Sequence, residues 1–164
     1  MAININNEVT REALTMLAAI ERVAARLYKH FNEKFGTKDG VDWGKMALEE
    51  EEHARFFETQ KRMLDTVPNV FGRTLISLVE LKRLTEKLSG IAVEGMKDDV
   101  TLEKALRIGY VIEVEVSESE NIKLMHIKSE SLRKVFDSIL IETVSHKEQI
   151  LRAADRNGVI LSAA

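Results

Sequence analysis

The sequence predicts an all-α protein: a four-helix bundle of antiparallel helix pairs, joined by one long crossover that contains an extra helix. Three observations predict it. One proline and eight glycines in 164 residues leave few helix breakers. Apolar residues recur at spacings of three and four through four long stretches. Residues suited to capping fall between those stretches. A chain of 164 residues with 45% hydrophobic content has the size and core material of one domain, spanning 1–164.

The elements follow in order. The first long helix covers about residues 8–35, and Gly36 to Val41 forms a short turn that delivers Asp42 as an N-cap. The second runs from about 42 to 66 and is closed by Pro68 and Gly72. About thirty residues follow, in which Leu75, Leu78, Leu81, Leu84 and Leu88 keep helical spacing and mark the crossover helix. Gly90, Gly95, Asp98, Asp99 and Thr101 break the chain before the third long helix, about 101–128. Ser129 or Ser131 caps the fourth, about 131–156, and Gly158 begins the tail. Short turns within each pair make those helices antiparallel, whereas the long connection lets the third run parallel to the second.

Composition excludes several functions. With 24 basic and 27 acidic residues the net charge is -3, which offers no basic excess to hold a phosphate backbone. Cysteine is absent, so disulfides, thiolate nucleophiles, zinc ribbons and cysteine-ligated iron–sulfur centres are all removed. Any metal must sit on oxygen and nitrogen. The start MAININNEVTREA has neither the basic opening nor the apolar run of a signal peptide, and no stretch is apolar enough to span a bilayer. The expectation is a soluble, cytoplasmic protein with no nucleic-acid or membrane partner.

The inward seams carry the functional signal. The first helix reads Leu14, Leu17, Glu21, Ala24, Tyr28, Phe31, Phe35, with a carboxylate where an apolar residue belongs. The second reads Trp43, Met46, Glu50, His53, Phe57, Gln60, Leu64 and places two ionisable groups inward at i, i+3. The third gives Leu102, Leu106, Gly109, Glu113, Val116, Glu120, and the fourth Leu132, Ile139, Thr143, His146, Ile150, Ala153. Each anomaly lies near the middle of its helix, so packing side by side brings them to one height. Buried carboxylates gathered in one place repel and lack solvation, and bound cations relieve both. Two divalent ions would balance four carboxylates, and oxygen with imidazole donors suits iron, manganese or zinc. Glu49, Glu51 and Glu52 read instead as a solvated face. Phe56 and Val70 read as surface apolar positions that hint at a dimer face.

An internal repeat supports the convergence. Ala13-Leu14 aligns with Ala105-Leu106, which brings Ile20-Glu21 onto Ile112-Glu113, Leu48-Glu49 onto Ile141-Glu142, and His53 onto His146. Two halves share one helix-pair plan, consistent with a pseudo-twofold site.

Those residues, Glu21 with Tyr28 in AIERVAARLY, Glu50-x-x-His53 in LEEEEHARFF, Glu113 in ALRIGYVIEVE and His146 in IETVSHKEQI, resemble the ferritin-like superfamily and within it the rubrerythrin-like group. The resemblance implies a di-iron centre held by a Glu from each of two helices and Glu-x-x-His from the other two. It implies Tyr28 as a hydrogen-bonding residue beside the ligands. It also implies redox chemistry: reduction of peroxide or oxidation of Fe(II), in iron handling or oxidative-stress defence. Dioxygen or hydrogen peroxide and Fe(II) are then the small-molecule partners, in a homodimer or larger homo-oligomer. Since the chain carries no rubredoxin-like domain, an external electron donor would sustain turnover. One position departs from the pattern. Thr143 stands three residues before His146, where the family places a ligand glutamate. Glu120, two turns or about 10.5 Å beyond Glu113, or Glu142, about 100° around the helix from Thr143, is expected to supply the missing carboxylate. Two other readings remain open: a non-catalytic divalent-metal binding or storage protein, and a metal-free relic serving as an interaction module.

Overall fold

The computed structural model describes residues 5–67, 70–72, 76–118 and 127–161. Five helices follow one another: α1 (Ile5–Phe35), α2 (Trp43–Met63), α3 (Leu78–Gly95), α4 (Leu102–Glu118) and α5 (Glu130–Arg156). Among the described residues the only β feature is an isolated antiparallel bridge between Phe71 and Ile127. No described helix is long and apolar enough to cross a membrane.

Local chemistry sets the boundaries. Gly36, at φ 61°, ends α1 in a left-handed conformation that a side chain would oppose, and its N–H donates to the Asn32 carbonyl at 2.9 Å. The Asp42 carboxylate accepts from Lys45 N at 3.0 Å and starts α2. Ser77 caps α3 and Ser129 caps α5 in the same way. Between α1 and α2, buried Asp39 accepts from Val41 N at 2.9 Å and from the Trp43 indole at 2.7 Å, which fixes the turn to the first residue of the next helix.

Contacts at the two ends give the helix directions. At one end the α1–α2 turn meets the end of α5, where Arg156 donates to Gly40 O at 3.1 Å and Asn157 to Asp39 O at 3.1 Å. Lys34, near the end of α1, donates to Asp98 O just before α4. So α1 and α5 finish at this end, whereas α2 and α4 begin there. At the opposite end Asn6 donates to Gly72 O at 2.9 Å, and the Phe71–Ile127 bridge closes the crossover over Phe136. Helix α3 lies in the crossover and packs against α1 and α4.

Aromatic layers fill both ends of the core. Toward the α1–α2 turn, Trp43 stacks on Tyr28 and Phe31 at centroid distances of 5.5 and 5.0 Å. Toward the crossover, Phe57 and Phe136 meet at 5.6 Å, with Phe71 against Phe136 at 6.4 Å. The polar residues of the seams lie between the two layers.

Some expectations need correction. The third long helix does not extend to residue 128. It is assigned to Glu118, and Ile127 is in bridge conformation, with Lys128 N donating to Val70 O at 3.0 Å, because the crossover chain needs a backbone partner over Phe136. The second long helix stops at Met63 and tightens through Asp65 N to Arg62 O and Thr66 N to Met63 O. Phe56 and Val70 are not free surface positions, since both pack on the core, Phe56 edge-on to Phe136 at 5.2 Å. Pro68 and Leu75 lie outside the described residues.

The Asp39 link is testable. Asp39→Ala leaves two buried donors without a partner and is expected to destabilise by about 2–3 kcal/mol, read as a lower urea midpoint at unchanged slope.

Candidate metal centre

Five ionisable side chains from four helices meet between the aromatic layers: Glu21 from α1, Glu50 and His53 from α2, Glu113 from α4 and His146 from α5. None is more than 5% exposed. They form two groups that share one residue. Glu21, Glu50 and His53 offer ligand atoms within 4.8 Å of one another, and so do Glu50, Glu113 and His146.

Glu50 is the hub. Its Oε2 lies 3.0 Å from His53 Nδ1, one helical turn along α2, and its Oε1 lies 2.9 Å from His146 Nδ1 on α5. Glu113 Oε1 is 3.7 Å from the same His146 nitrogen and accepts a hydrogen bond from the buried Tyr28 hydroxyl. The outer nitrogens of the two imidazoles are tied in a reciprocal way. His53 Nε2 is 2.8 Å from Glu142 on α5, and His146 Nε2 is 2.9 Å from Glu49 on α2. Each histidine thus faces a carboxylate on both sides.

That arrangement sets the protonation. Burial, then the neighbouring charges of Glu50 and Glu113, holds the Glu21 carboxyl well above its ordinary range. Burial raises Glu113 too, against the opposing hydrogen bond with His146. Glu50 is equally buried, yet the hydrogen bonds from His146, His53 and Glu21 bring it below the usual range, so it is the carboxylate that stays charged. Burial alone would lower both histidines. For His53 the bonds with Glu50 and Glu142 outweigh it and the pKa rises; for His146 those with Glu113 and Glu50 push it up to about 11.

The donor set fits divalent metal. With Nε2–H given to Glu142 or Glu49, each imidazole has only Nδ1 free, and Nδ1 points at Glu50. A proton or a cation must occupy that side. Two donors on one ion at about 2.1 Å each can lie no more than about 4.2 Å apart, so groups of atoms within 4.8 Å need little rearrangement. A carboxylate behind the outer nitrogen is also the usual means of orienting a ligating histidine.

The sequence-predicted residues thus divide. Glu21, Glu50, His53, Glu113 and His146 are brought together, and Tyr28 touches Glu113. Glu142 joins neither ligand group. It backs His53 with a side chain 40% exposed and receives Ser138 Oγ at 3.1 Å. Its rotation of about 100° from Thr143 carries it past the seam to the rim. Glu120 lies outside the described residues. Glu49, read from sequence as part of a solvated face, instead backs His146. The repeat that pairs Leu48-Glu49 with Ile141-Glu142 carried that signal, since Leu48 and Ile141 are 68% and 69% exposed and their following glutamates play matching parts.

The proton balance gives a sign. Between its ordinary value and its raised native value, each of Glu21, Glu113, His53 and His146 holds more proton when folded than unfolded, so stability falls as pH rises. Lowered Glu50 acts oppositely only below its ordinary 4.5. The melting temperature of chelator-treated protein is therefore expected to fall as pH is raised from 6.5 into the alkaline range. Added Zn(II) should reverse that slope, because ligand binding requires the deprotonated forms. Glu21→Gln, which keeps the shape without an ionisable proton, is expected to raise the melting temperature of the metal-free chain by roughly 3 °C or more at neutral pH while weakening metal binding. Differential scanning calorimetry checks both.

Compared with models of known families, with curated proteins and with solved structures, the chain matches none of them.

Proposed function

We propose that the centre holds two divalent metal ions sharing Glu50, with Glu21 and His53 completing one position and Glu113 and His146 the other. The sharing of Glu50 by both ligand groups is the observation that carries this reading. Oxygen and imidazole donors without sulfur suit iron, manganese or zinc. Iron is the ion implied by the resemblance to ferritin-like, rubrerythrin-like proteins, and the all-helical architecture with a helix in the crossover is compatible with that fold. Bound iron would supply the electrons for reducing peroxide or dioxygen, or would itself be oxidised from Fe(II), with an external electron donor closing the cycle.

The chain's own residues have separable tasks in this scheme. Glu21, Glu50 and Glu113 neutralise the ions. Glu142 and Glu49 hold the imidazoles with Nδ1 inward. The Tyr28 hydroxyl fixes one Glu113 oxygen and can give it a proton. The aromatic layers exclude water from both ends, which strengthens every charge interaction between them. Thr143 favours a second reading, binding or storage without turnover, because it removes a charged ligand from one side of the pair.

Elemental analysis of protein purified without chelator is expected to find two metal ions per chain. Glu50→Ala should lose both, and Glu21→Ala one. Should Glu50→Ala retain full occupancy, the shared-ligand reading fails. Glu142→Ala and Glu49→Ala should weaken affinity about 10–100-fold. Peroxide added to Fe(II)-loaded protein, followed by stopped-flow absorbance, separates turnover from storage: an absorbance change marks oxidation, and a flat trace marks inert binding.

A further inference from the structure

Away from the centre, the outer side of the α1–α2 pair is recessed. A hollow of about 430 Å³ opens to solvent between the two helices, walled by Ala25, Gly44, Ala47 and Leu48, and nearly all of its surface is apolar. A second, of about 360 Å³, lies over Ala18 and Ala19 and shares Arg26 with the first. Small side chains are the cause. In the α4–α5 pair of the repeat the corresponding positions hold Tyr110 for Ala18, Val111 for Ala19 and Leu140 for Ala47, and Tyr110 and Leu140 pack against the core. Beside the hollow stands Leu48, 68% exposed in mid-helix, so a large apolar side chain projects from the same patch that is recessed.

Charge divides between the two walls. The α1 wall carries Arg22, Arg26 and Lys29, and the α2 wall carries Glu51 and Glu58. Arg22 pairs with Glu58 across one end of the groove, whereas Arg26 and Lys29 have no carboxylate partner among the described residues. Antiparallel α1 and α2 also meet at the other end, where a Cβ on Gly44 would come within 3.0 Å of the Asn32 side chain. Between these two meeting points Arg26 and Glu51 stand at one height on opposite walls. From Thr15 to Asn32 the groove runs about 25 Å, and two helices make the face about 20 Å wide. Two such faces pressed together bury on the order of 1,000 Å², which is what a specific interface needs.

We propose that this face is the contact between two copies of the chain, related by a twofold axis along the groove, with each Leu48 seated in the other copy's hollow. A twofold contact uses one patch on both partners, so that patch must carry the projection and the recess together, as this one does. An axis along the groove lays each α1 over the partner's α2 and leaves heights unchanged. Arg26 of one copy then faces the partner's Glu51, and the basic wall of each chain meets the acidic wall of the other. The inference is independent of what the buried centre binds.

Sedimentation velocity of the full chain over a range of concentrations tests it, with circular dichroism confirming that each variant is helical. The wild-type chain is expected to sediment at twice the 18.6 kDa of one chain. Leu48→Arg should be monomeric at the same concentrations and Leu48→Ala weaker in association by about tenfold or more; neither touches the core. Ile141→Arg alters the equally exposed counterpart in the other half and should leave the dimer intact. Arg26→Glu and Glu51→Arg should each weaken association by about tenfold, and the chain carrying both should recover it, because the exchanged charges again oppose across the axis. A wild-type chain that is monomeric at about 100 µM, a Leu48→Arg chain that is still dimeric, an Ile141→Arg chain that dissociates as far as Leu48→Arg, or a double charge exchange no better than the single ones would each overturn the proposal.

Discussion

A charged carboxylate buried at the middle of the bundle is the constraint on which the rest depends. Glu50 is 2% exposed, and a lone carboxylate there would be strongly disfavoured. The fold answers by surrounding it with partners from three helices: His53 along α2, His146 across from α5, and Glu21 from α1, whose carboxyl burial holds well above its ordinary range. The apolar layers on either side keep the helices in register so that groups far apart in sequence, such as Glu50 and His146, arrive within 2.9 Å. Packing holds the donors at one height, and the donors make tolerable a polar interior that packing alone would reject.

The duplicated helix-pair plan accounts for the centre's form. Each half contributes a glutamate from one helix and a histidine from the next, and each half's histidine is braced by a glutamate from the other half. The exchange couples α2 to α5 across a gap that few backbone contacts bridge. It also gives both imidazoles the same orientation toward one shared carboxylate. Where the duplication fails, at Thr143, the second half lacks the carboxylate that Glu50 supplies to the first.

Much of this was legible in the sequence because the signals are periodic. A carboxylate at Glu21 in a run of apolar seam residues, or Glu50 and His53 three apart on an inward face, is visible without coordinates. The Gly36–Val41 turn and the Asp42 cap are equally local and were equally readable. The departure of Ile127 from a helix was not, because its pairing with Phe71 joins segments more than fifty residues apart and overrides helical spacing. Phe56 shows the same limit: its exposure depends on whether Phe136 from another helix covers it. Glu49 and Glu142 fall one step off the seam, where helical periodicity alone assigns them to solvent, and only the distance between α2 and α5 decides that they reach the opposite imidazole.

The aromatic seals at the two ends have a kinetic corollary. With Trp43, Tyr28 and Phe31 above and Phe57, Phe71 and Phe136 below, axial passage to the interior would require several rings to move together. On the side between α2 and α5 the outer imidazole nitrogens are covered instead by Glu49 and Glu142, side chains 24% and 40% exposed, whose rotation would uncover them and whose negative charge would draw cations there. Such rotations take picoseconds to nanoseconds. Exchange with solvent through that seam can therefore proceed by swinging two side chains while the helices stay intact.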